Sequence, residues 1–511
     1  MNMCGIAGII DFNIKDNIKD VENMLKSINF RGPNSKSMCP GTFFDIGAVR
    51  LAIVDFKSKS ANQPFVSDNG NIIIIYNGEI YNHQDLRRTY LSGHSFSSKC
   101  DGEVLPLLYQ KFGIRFIEKI KGMFSICIID KSKSEIYLIR DRFGIKPLYY
   151  HFNQKKRSLI FCSEIHPIFL NKIDKIENHK ETIRFFDYSL LHSTNETWFK
   201  NIFQICPGEY LKFSKTELKV EKYYKLEDNI DESTDFQKIN YFDLEDKIFQ
   251  IINKSFREHS IGDFKLGLHI SSGLDSGLLA CGAKEANLET ECYSFGFEES
   301  EFNEIPGAKQ ISEGLNFKHS STKININNII NEFEKNLNLH YEPFTSLRLL
   351  SSNHLYEKFK DSCKVILDGT GGDEIGGGYT YQKLAWVMDM INDGQENIVE
   401  KMKRKKNYLN DDVILRYSKK INTPEANIHE DGVFFEKFNF LNLDNSKESF
   451  AKLKKPFRSI LRNTQYQDLM YRKLPRSLKY IDRASMRNSV EARVPFLDHE
   501  LVEAMISMPT K

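Results

Sequence analysis

A cysteine lies close to the start of the chain, in the stretch MNMCGIAGII. Cys4 is a candidate nucleophile, because a cysteine thiolate attacks carbonyl carbon atoms. The nine cysteines of the chain are scattered singly and form no CxxC pair, which argues against a disulfide framework or a zinc site. Whether Cys4 does chemistry depends on the partners that the rest of the chain supplies.

A second candidate site is the segment HISSGLDSGLLA at residues 269–280. A buried strand is predicted to end there and a helix to follow, so that backbone N–H groups, serine hydroxyls and a helix N-terminus would face an anion. Asp275 would repel a phosphate unless Mg²⁺ lay between them. The GxxxxGK[ST] pattern of a Walker loop is absent. Taken alone, the segment also fits an ordinary Ser- and Gly-rich turn.

A third segment, VILDGTGGDEIGGGY at residues 365–379, makes the nucleotide interpretation stronger. Here Asp373 and Glu374 lie among six glycines within residues 369–378. Magnesium takes one or two protein carboxylates together with phosphate oxygens. Two strand-end loops of one sheet, each with a carboxylate, therefore predict a Mg²⁺–ATP site.

The elements that must position these residues differ between the two halves of the chain. Up to about Tyr224 the sequence consists of short β-like runs bounded by Gly, Asn, Asp or Lys, such as GAVRLAIVD and GMFSICIID. Two helical stretches interrupt them, Ile18–Asn29 and Gly102–Phe112. Many strands with few helices predict an α+β sandwich.

Residues 227–240 are polar, acidic and aperiodic, as expected of a linker. Beyond them the pattern changes to strands that alternate with helices, with KLGLHIS, ECYSFGF and CKVILDG as buried parallel strands. This arrangement is typical of a parallel α/β sheet, whose ligands bind at the carboxyl ends of the strands. The predicted organisation is a first domain at residues 4–225, a linker at 226–240 and a second domain at 241–511.

The formal net charge of +2 gives no indication of a nucleic-acid or acidic-membrane partner. No apolar run approaches the roughly 20 residues that a membrane helix needs, and charged residues interrupt the N-terminus. We expect a cytoplasmic protein.

These segments together resemble the glutamine-hydrolysing asparagine synthetases. The resemblance rests in the first domain on CGIAGI, FRGPNS, RLAIVD, YNGEIYN, CDGEVL, GMFSICIID, RDRFGIKPLYY and FCSEI. In the second domain it rests on a loop similar to SGGLDS of the ATP-pyrophosphatases, and on YEPF, DGTGGDEIGGGY and IDRASMRNSVEARVPFLDHELVE. It implies a four-layer αββα sandwich of the Ntn type, a class II glutamine amidotransferase, followed by an α/β parallel-sheet domain of the ATP-pyrophosphatase type.

The implied reaction hydrolyses glutamine and passes the ammonia through an internal tunnel to a carboxylate that ATP has activated as an acyl-AMP. Cys4 would be the nucleophile and its own α-amino group the base, while the Asn77 side chain and the Gly78 N–H would form the oxyanion hole. Residues 1–3 would acylate that amine. We therefore expect translation to begin at Met3, whose removal exposes the amine, with processing of a short leader as the other route.

The same resemblance implies that Arg50 pairs with the α-carboxylate of glutamine, that Asp101 pairs with its α-ammonium, and that Glu79 lines the pocket. Each residue type also has a structural alternative. Arg50 could form a surface salt bridge, Asn77-Gly78 a hairpin turn, and Asp101 a helix cap.

For the second domain, the resemblance implies that a larger set of residues binds ATP. That set is Leu268, Ile270, Ser271, Gly273, Asp275, Ser276, Phe295 and Gly369. Asp275 and Asp373 would hold Mg²⁺. Lys479 is a candidate for the cation that stabilises phosphate charge, with a surface lysine or a partner for Asp482 as the alternatives.

The chain departs from the family pattern at several positions. Thr370 replaces an acid that the family is thought to use as a base in amide formation, Ser272 replaces the first loop glycine, and Asn34 replaces an aspartate. The family also continues with a further helical segment beyond the position of Lys511.

We expect glutamine and a carboxylate as substrates, ATP and Mg²⁺ as cofactors, and a homodimer. Because of Thr370, a second hypothesis keeps the chemistry but changes the acceptor to a sugar acid, a peptide or a natural-product precursor. A third is a non-catalytic descendant that binds nucleotide.

Overall fold

The computed structural model describes residues 2–13, 16–53, 55, 58–188, 190–232, 240–298, 303–325, 329–344, 348–405, 414–415 and 453–508. None of the helices in these ranges combines the length and the apolarity that crossing a bilayer requires. All nine cysteines are free thiols.

The first half of the chain is built mainly from antiparallel strands. They are β1 (Asn2–Asp11), β2 (Ser35–Pro40), β3 (Phe44–Ala52), β4 (Phe65–Val66), β5 (Ile72–Ile80), β6 (Gly122–Asp130), β7 (Glu135–Arg140), β8 (Tyr149–Asn153), β9 (Ser158–Cys162), β10 (Phe203–Gln204), β11 (Glu209–Ser214) and β12 (Leu218–Lys222). The helices are α1 (Ile18–Ser27), α2 (His83–Tyr90), α3 (Val104–Phe112), α4 (His166–Phe169) and α5 (His179–Tyr188). Hydrogen bonds join the strands in the order β10-β8-β9-β1-β5-β6-β7-β11-β12, with β3 between β1 and β2, and with β4 on β5.

Alternation of side chains along the strands divides this half into layers. In β5, Ile73 and Ile75 point into a core shared with β1 and β3, whereas Ile74 and Tyr76 point into a second core that α2 and α3 cover. On the far side of β1, Ile9 and its neighbours pack against α1 and α4. The layers are thus helices, strands, strands and helices, and the expected αββα sandwich is confirmed.

The sequence analysis found α1 and α3 but missed three helices of this half. One of them, α2, buries only His83 and Leu86, so its sequence carries no apolar stripe that a helical period could reveal. A helix of this kind is stabilised by what it packs against rather than by its own pattern.

The second half contains a parallel sheet with helices around it. Its strands are β13 (Leu266–His269), β14 (Thr290–Phe297), β15 (Lys318–Ile324), β16 (Val365–Leu367) and β17 (Glu491–Arg493), in the order β15-β14-β13-β16-β17 and parallel throughout. Its helices are α6 (Tyr241–His259), α7 (Leu274–Glu285), α8 (Ile305–Gly314), α9 (Ile329–His340), α10 (Arg348–Phe359), α11 (Gly372–Gly376), α12 (Thr380–Asn392), α13 (Glu396–Lys405), α14 (Ile460–Met470), α15 (Leu474–Arg487) and α16 (His499–Ser507). The predicted parallel α/β sheet is confirmed. Because β13 and β16 are neighbouring parallel strands, the loops that follow them lie at the same edge of the sheet.

One apolar core joins the two halves. It contains Leu51 and Met123 from the first half and Leu268 and Ile270 from the second, all of them buried. Leu226, the first residue of the predicted linker, is fully buried in the same core. Residues 233–239 of that linker lie outside the described residues, and its limits remain a prediction.

Candidate active sites

Cys4 lies fully buried in β1, directly opposite Arg50 of β3 in the strand register. Its backbone N–H donates to Oδ1 of Asn77 at 3.3 Å, and Nε2 of Gln63 donates to its Sγ at 3.0 Å. Burial raises the pKa of the thiol, whereas the charge of Arg50 lowers it. The nitrogen and the sulfur of Cys4 therefore both face polar amide groups.

Asn77 and Gly78 lie within β5 and do not form a hairpin turn. Gly78 has φ of +147°, and a Cβ there would lie 2.0 Å from the carbonyl oxygen of Met123, so only glycine fits. Nδ2 of Asn77 is buried and has no hydrogen-bond partner among the described residues. A buried donor without a partner is costly, so this amide is suited to receive an oxygen from a ligand.

The residues before Cys4 continue the same strand. Asn2 lies opposite Ala52 of β3 and opposite Gly78 of β5, and Met3 lies opposite Leu51. In the chain that keeps these residues, the backbone thus runs past the proposed oxyanion position.

Arg50 and Asp101 are both buried, and neither has the structural role named as its alternative. Arg50 donates to Oδ1 of Asn62 at 2.8 Å rather than forming a surface salt bridge. Asp101 accepts from the Tyr76 hydroxyl at 2.7 Å and from the Ile80 N–H at 2.8 Å, and so bonds to β5 rather than capping its own helix. Burial alone would raise the pKa of Asp101, but nearby positive charge and these hydrogen bonds hold it below its ordinary value.

The carboxylate of Glu79 pairs with Arg493 of the second half, at 3.0 Å between Oε2 and Nη2. Arg493 is fully buried, also contacts the carboxylate of Glu491, and donates to the backbone carbonyls of His259 and Ile261. Burial raises the pKa of Glu79 well above its ordinary value, while Arg493 lowers it. Glu79 is therefore a contact between the halves, one residue beyond Gly78.

In the second half, the loop after β13 closes on itself through its serines. Oγ of Ser276 accepts from the Ser271 N–H at 3.0 Å and lies 3.1 Å from the carbonyl oxygen of Gly273. The Gly273 N–H donates to Oγ of Ser271 at 3.1 Å, and α7 begins at the next residue. The loop thus presents hydroxyls and the first amides of α7 at the edge of the sheet, as an anion site requires.

The two predicted metal ligands are neighbours. A Cβ at Gly372 would lie 2.4 Å from Cγ of Asp275, and one at Gly378 would lie 1.9 Å from Oδ1 of Asp373, so these glycines make room for the carboxylates. Burial, and then the negative charge of Asp373, raise the pKa of Asp275 to about 6. A carboxylate whose ionisation is disfavoured by a neighbouring carboxylate fits a site where Mg²⁺ would lie between the two.

The predicted nucleotide residues surround this point. A Cβ at Gly369 would lie 3.5 Å from the amide nitrogen of Ser276, so the two loops are in contact. Leu268 and Ile270 are buried in β13 and just after it, and Phe295 of β14 is partly buried, with its ring 5.7 Å from that of His269 between them. The structure therefore brings the eight residues of the predicted ATP site to one edge of the sheet.

Lys479 lies elsewhere, at the boundary between the halves. It is buried, and its ammonium contacts the Glu342 carboxylate and the His192 ring, which excludes a surface lysine. Asp482 is paired with Arg31 instead, at 2.8 Å. Burial lowers the pKa of Lys479 to about 7 and Glu342 opposes this. Because the pKa of Glu342 is itself lowered to about 2, we describe the two groups as an ion pair.

Sequence reasoning did not find several residues at these sites. Gln63 is 59 positions from Cys4, Arg493 is 414 positions from Glu79, and Asp368 is 99 positions from its partner His269. Residues so far apart along the chain form no motif in the sequence, and only the folded structure brings them together.

Two family models cover most of the chain. The glutamine amidotransferase domain matches residues 3–224, and asparagine synthase matches residues 247–511. The chain belongs to the glutamine-hydrolysing asparagine synthetase family.

Curated members of this family match the chain, two of them along nearly its whole length. Asparagine synthetase [glutamine-hydrolyzing] 2 of Bacillus subtilis (strain 168) is 30% identical over 533 aligned residues, covering 99% of this chain and 67% of that protein. Asparagine synthetase [glutamine-hydrolyzing] 1 of the same organism is 26% identical, covering 99% of this chain and 81% of the relative. A putative asparagine synthetase of Methanocaldococcus jannaschii is 29% identical over 76% of this chain and 78% of its own length.

As a member of the asparagine synthetase family, the chain is an ATP-dependent ligase that takes nitrogen from glutamine. These relatives do not favour a different acceptor or a non-catalytic descendant.

Proposed function

We propose that this chain converts aspartate to asparagine, with glutamine hydrolysed at Cys4. Once residues 1–3 have been removed, the Cys4 thiol loses its proton to the α-amine of the same residue and attacks the carboxamide carbon of glutamine. Ammonia leaves with that proton, and water then cleaves the thioester to give glutamate. The observation that carries this proposal is the buried Asn77 Nδ2, which lies next to Cys4 without a partner and can donate to the oxyanion together with the Gly78 N–H.

Glutamine would be oriented by the two buried charges near Cys4. Arg50 would bind its α-carboxylate and Asp101 its α-ammonium, since both side chains are buried and carry opposite charges. Both charges act on the thiol of Cys4, so they lie close to the reacting atom.

In the second half, we propose that Ser271, Gly273 and Ser276 hold the pyrophosphate of ATP, and that Asp275 and Asp373 bind Mg²⁺. The ion would neutralise phosphate charge when bound. The backbone around Leu268 and Ile270, with Phe295 and Gly369, would hold the adenosine. The side-chain carboxylate of aspartate attacks the α-phosphorus, and pyrophosphate leaves.

Ammonia must then travel from the first half to the second. We propose that it follows the apolar core between them, which Leu51 and Met123 line on one side and Leu268 and Ile270 on the other. Lys479 contacts Glu342 and His192 at this boundary. A role for Lys479 as the phosphate-stabilising cation would require it to move from that contact.

The test is a mass balance with glutamine, ATP, Mg²⁺ and aspartate as substrates. We expect one asparagine, one glutamate, one AMP and one pyrophosphate per turnover. Cys4→Ala should abolish glutamate release but keep asparagine formation from ammonium chloride. Pyrophosphate formation with a sugar acid or a peptide carboxylate, and none with aspartate, would contradict the proposed acceptor.

The homodimer and the cytoplasmic location also remain proposals. Light scattering coupled to size-exclusion chromatography would test the first, and fractionation of cells that express the protein would test the second.

A further inference from the structure

Three polar residues meet at the end of β16, next to the proposed ATP site. Asp368 follows β16 directly, and its Oδ1 accepts from the N–H of Thr370 at 2.9 Å and from its hydroxyl at 2.6 Å. Its Oδ2 lies 2.7 Å from Nδ1 of His269, the last residue of β13. The structure thus contains a histidine–aspartate pair at the edge of the sheet where the acyl-adenylate would form.

The contact with Asp368 selects the tautomer of the neutral imidazole ring. A carboxylate accepts, so Nδ1 of His269 carries a hydrogen, and in the neutral ring Nε2 is the acceptor. The side chain of Asp368 is 4% exposed and that of His269 is 16% exposed, so the carboxylate is enclosed while the ring reaches solvent. Nε2 has no hydrogen-bond partner within the described ranges, and Phe295 flanks the ring at 5.7 Å between centroids.

Amide formation needs an acceptor for a proton. When ammonia adds to an acyl carbon, the nitrogen becomes positively charged and must lose a proton before the product is stable. Thr370, at the position of the family's acid, cannot supply this base, because its hydroxyl is neutral and already donates to Asp368.

We propose that His269, oriented by Asp368, is the base for the amination step in this chain. The inference rests on the proposed function and deepens it at the same site. In the step, the nitrogen of ammonia forms a bond to the acyl carbon, and Nε2 of His269 takes one proton from that nitrogen. The bond between the acyl carbon and the phosphate oxygen then breaks, and AMP leaves with its electron pair. His269 later returns the proton to water.

The position of the pair supports this assignment over a purely structural one. His269 lies two residues before Ser271 of the pyrophosphate loop, and Asp368 lies directly before Gly369, whose backbone contacts that loop. A histidine that only filled space would need neither a buried carboxylate on one nitrogen nor an accessible second nitrogen. Asp368 acts through the ring and is a positioning residue.

The test separates activation from amination in the full-length protein. Aspartate-dependent exchange of pyrophosphate into ATP measures activation. Asparagine formation from ammonium chloride measures activation and amination together and does not require glutamine hydrolysis at Cys4. For His269→Gln we expect exchange within about threefold of the unmodified protein, and asparagine formation lower by about a hundredfold, the usual contribution of a general base. AMP should then form without asparagine, as water consumes the acyl-adenylate.

A second variant tests whether a carboxylate can replace the ring. Thr370→Glu added to His269→Gln should restore asparagine formation at least about tenfold, whereas the matched control Thr370→Gln in the same background should not. Asp368→Asn should reduce amination less than His269→Gln, because the ring remains.

The possible outcomes are distinct. Loss of exchange to the same extent as loss of asparagine in His269→Gln would assign the ring to nucleotide binding and overturn the proposal. Unchanged asparagine formation would overturn it as well. No exchange in the unmodified protein would instead refute the proposed function itself.

Discussion

A chain that begins at Cys4 should hydrolyse glutamine far faster than one that keeps residues 1–3. In the longer chain, the nitrogen of Cys4 is a peptide N–H that donates to Asn77 at 3.3 Å, and Asn2 lies opposite Gly78. In the shorter chain, the same nitrogen is a free amine at the same place.

The size of the effect follows from what each nitrogen can do. A peptide nitrogen does not accept protons near neutral pH, whereas an α-amine has a pKa of about 7.7–8.0 and is suited to act as a base. A positioned general base contributes a factor of roughly 10² to 10⁴, or about 2.7–5.5 kcal/mol of activation free energy. Asn2 also lies opposite Gly78 in the longer chain. We therefore expect kcat for glutamine hydrolysis to differ by at least about a hundredfold.

The two forms can be prepared from one gene with a protease site placed so that cleavage leaves Cys4 at the N-terminus. Glutamate release from glutamine without ATP measures hydrolysis, and intact-protein mass confirms each N-terminus. Asparagine formation from ammonium chloride is the internal control and should be equal in both forms. A chain that begins with alanine in place of Cys4 controls for background hydrolysis.

Equal glutamate release from the two forms would refute the reasoning, because it would mean that the base is a group other than the α-amine. Unequal synthesis from ammonium chloride would point to a change in folding rather than in chemistry.

Three further predictions concern the second half and its contact with the first. Arg493→Met should lower the free energy of unfolding by about 3–5 kcal/mol in urea, since it leaves Glu79 buried without its cation, and a loss under about 1 kcal/mol would contradict this. Asp275→Asn and Asp373→Asn should each reduce pyrophosphate release at least about a hundredfold and leave glutamate release unchanged. Continued pyrophosphate release would show that these carboxylates are not the Mg²⁺ ligands. Burial raises the pKa of Glu342, but adjacent cations lower it to about 2. The contribution of the ionised Glu342 carboxylate to stability is therefore complete above pH 4.5 and is lost as the pH falls toward 2. In urea titrations, the loss of unfolding free energy caused by Glu342→Gln should shrink between pH 5 and pH 3. A loss that stays constant over this range would contradict the ionised pair.

The strands that the sequence predicts best are the central ones of the parallel sheet. Strands buried on both faces read as continuous apolar runs, as in β13, β14 and β16. The sequence did not predict the edge strand β15, because its residues, KHSSTKI, are mostly polar and only the last of them is buried. At the other edge, β17 spans only Glu491–Arg493, too short for any period to show.

The residues of the candidate sites also fall into those that the sequence predicts and those that it does not. Cys4, Asn77 and Gly78 could be predicted because each belongs to a contiguous motif. His269 and Gln63 could not, because what makes them notable is a contact with a residue far away along the chain. For Glu79, the motif identified a candidate residue but gave no information about the partner of its carboxylate, which is Arg493.

Arg493 has a consequence for how this protein can be divided or recombined. Its side chain pairs with Glu79, one residue from the proposed oxyanion donor Gly78, and its backbone carbonyl accepts the N–H of Asp368, next to the proposed ATP site. A chimera that joins this first half to the second half of a relative must therefore keep both an acid at position 79 and an arginine at position 493. Exchange of either half on its own would break this buried contact unless the incoming half carries the same residue.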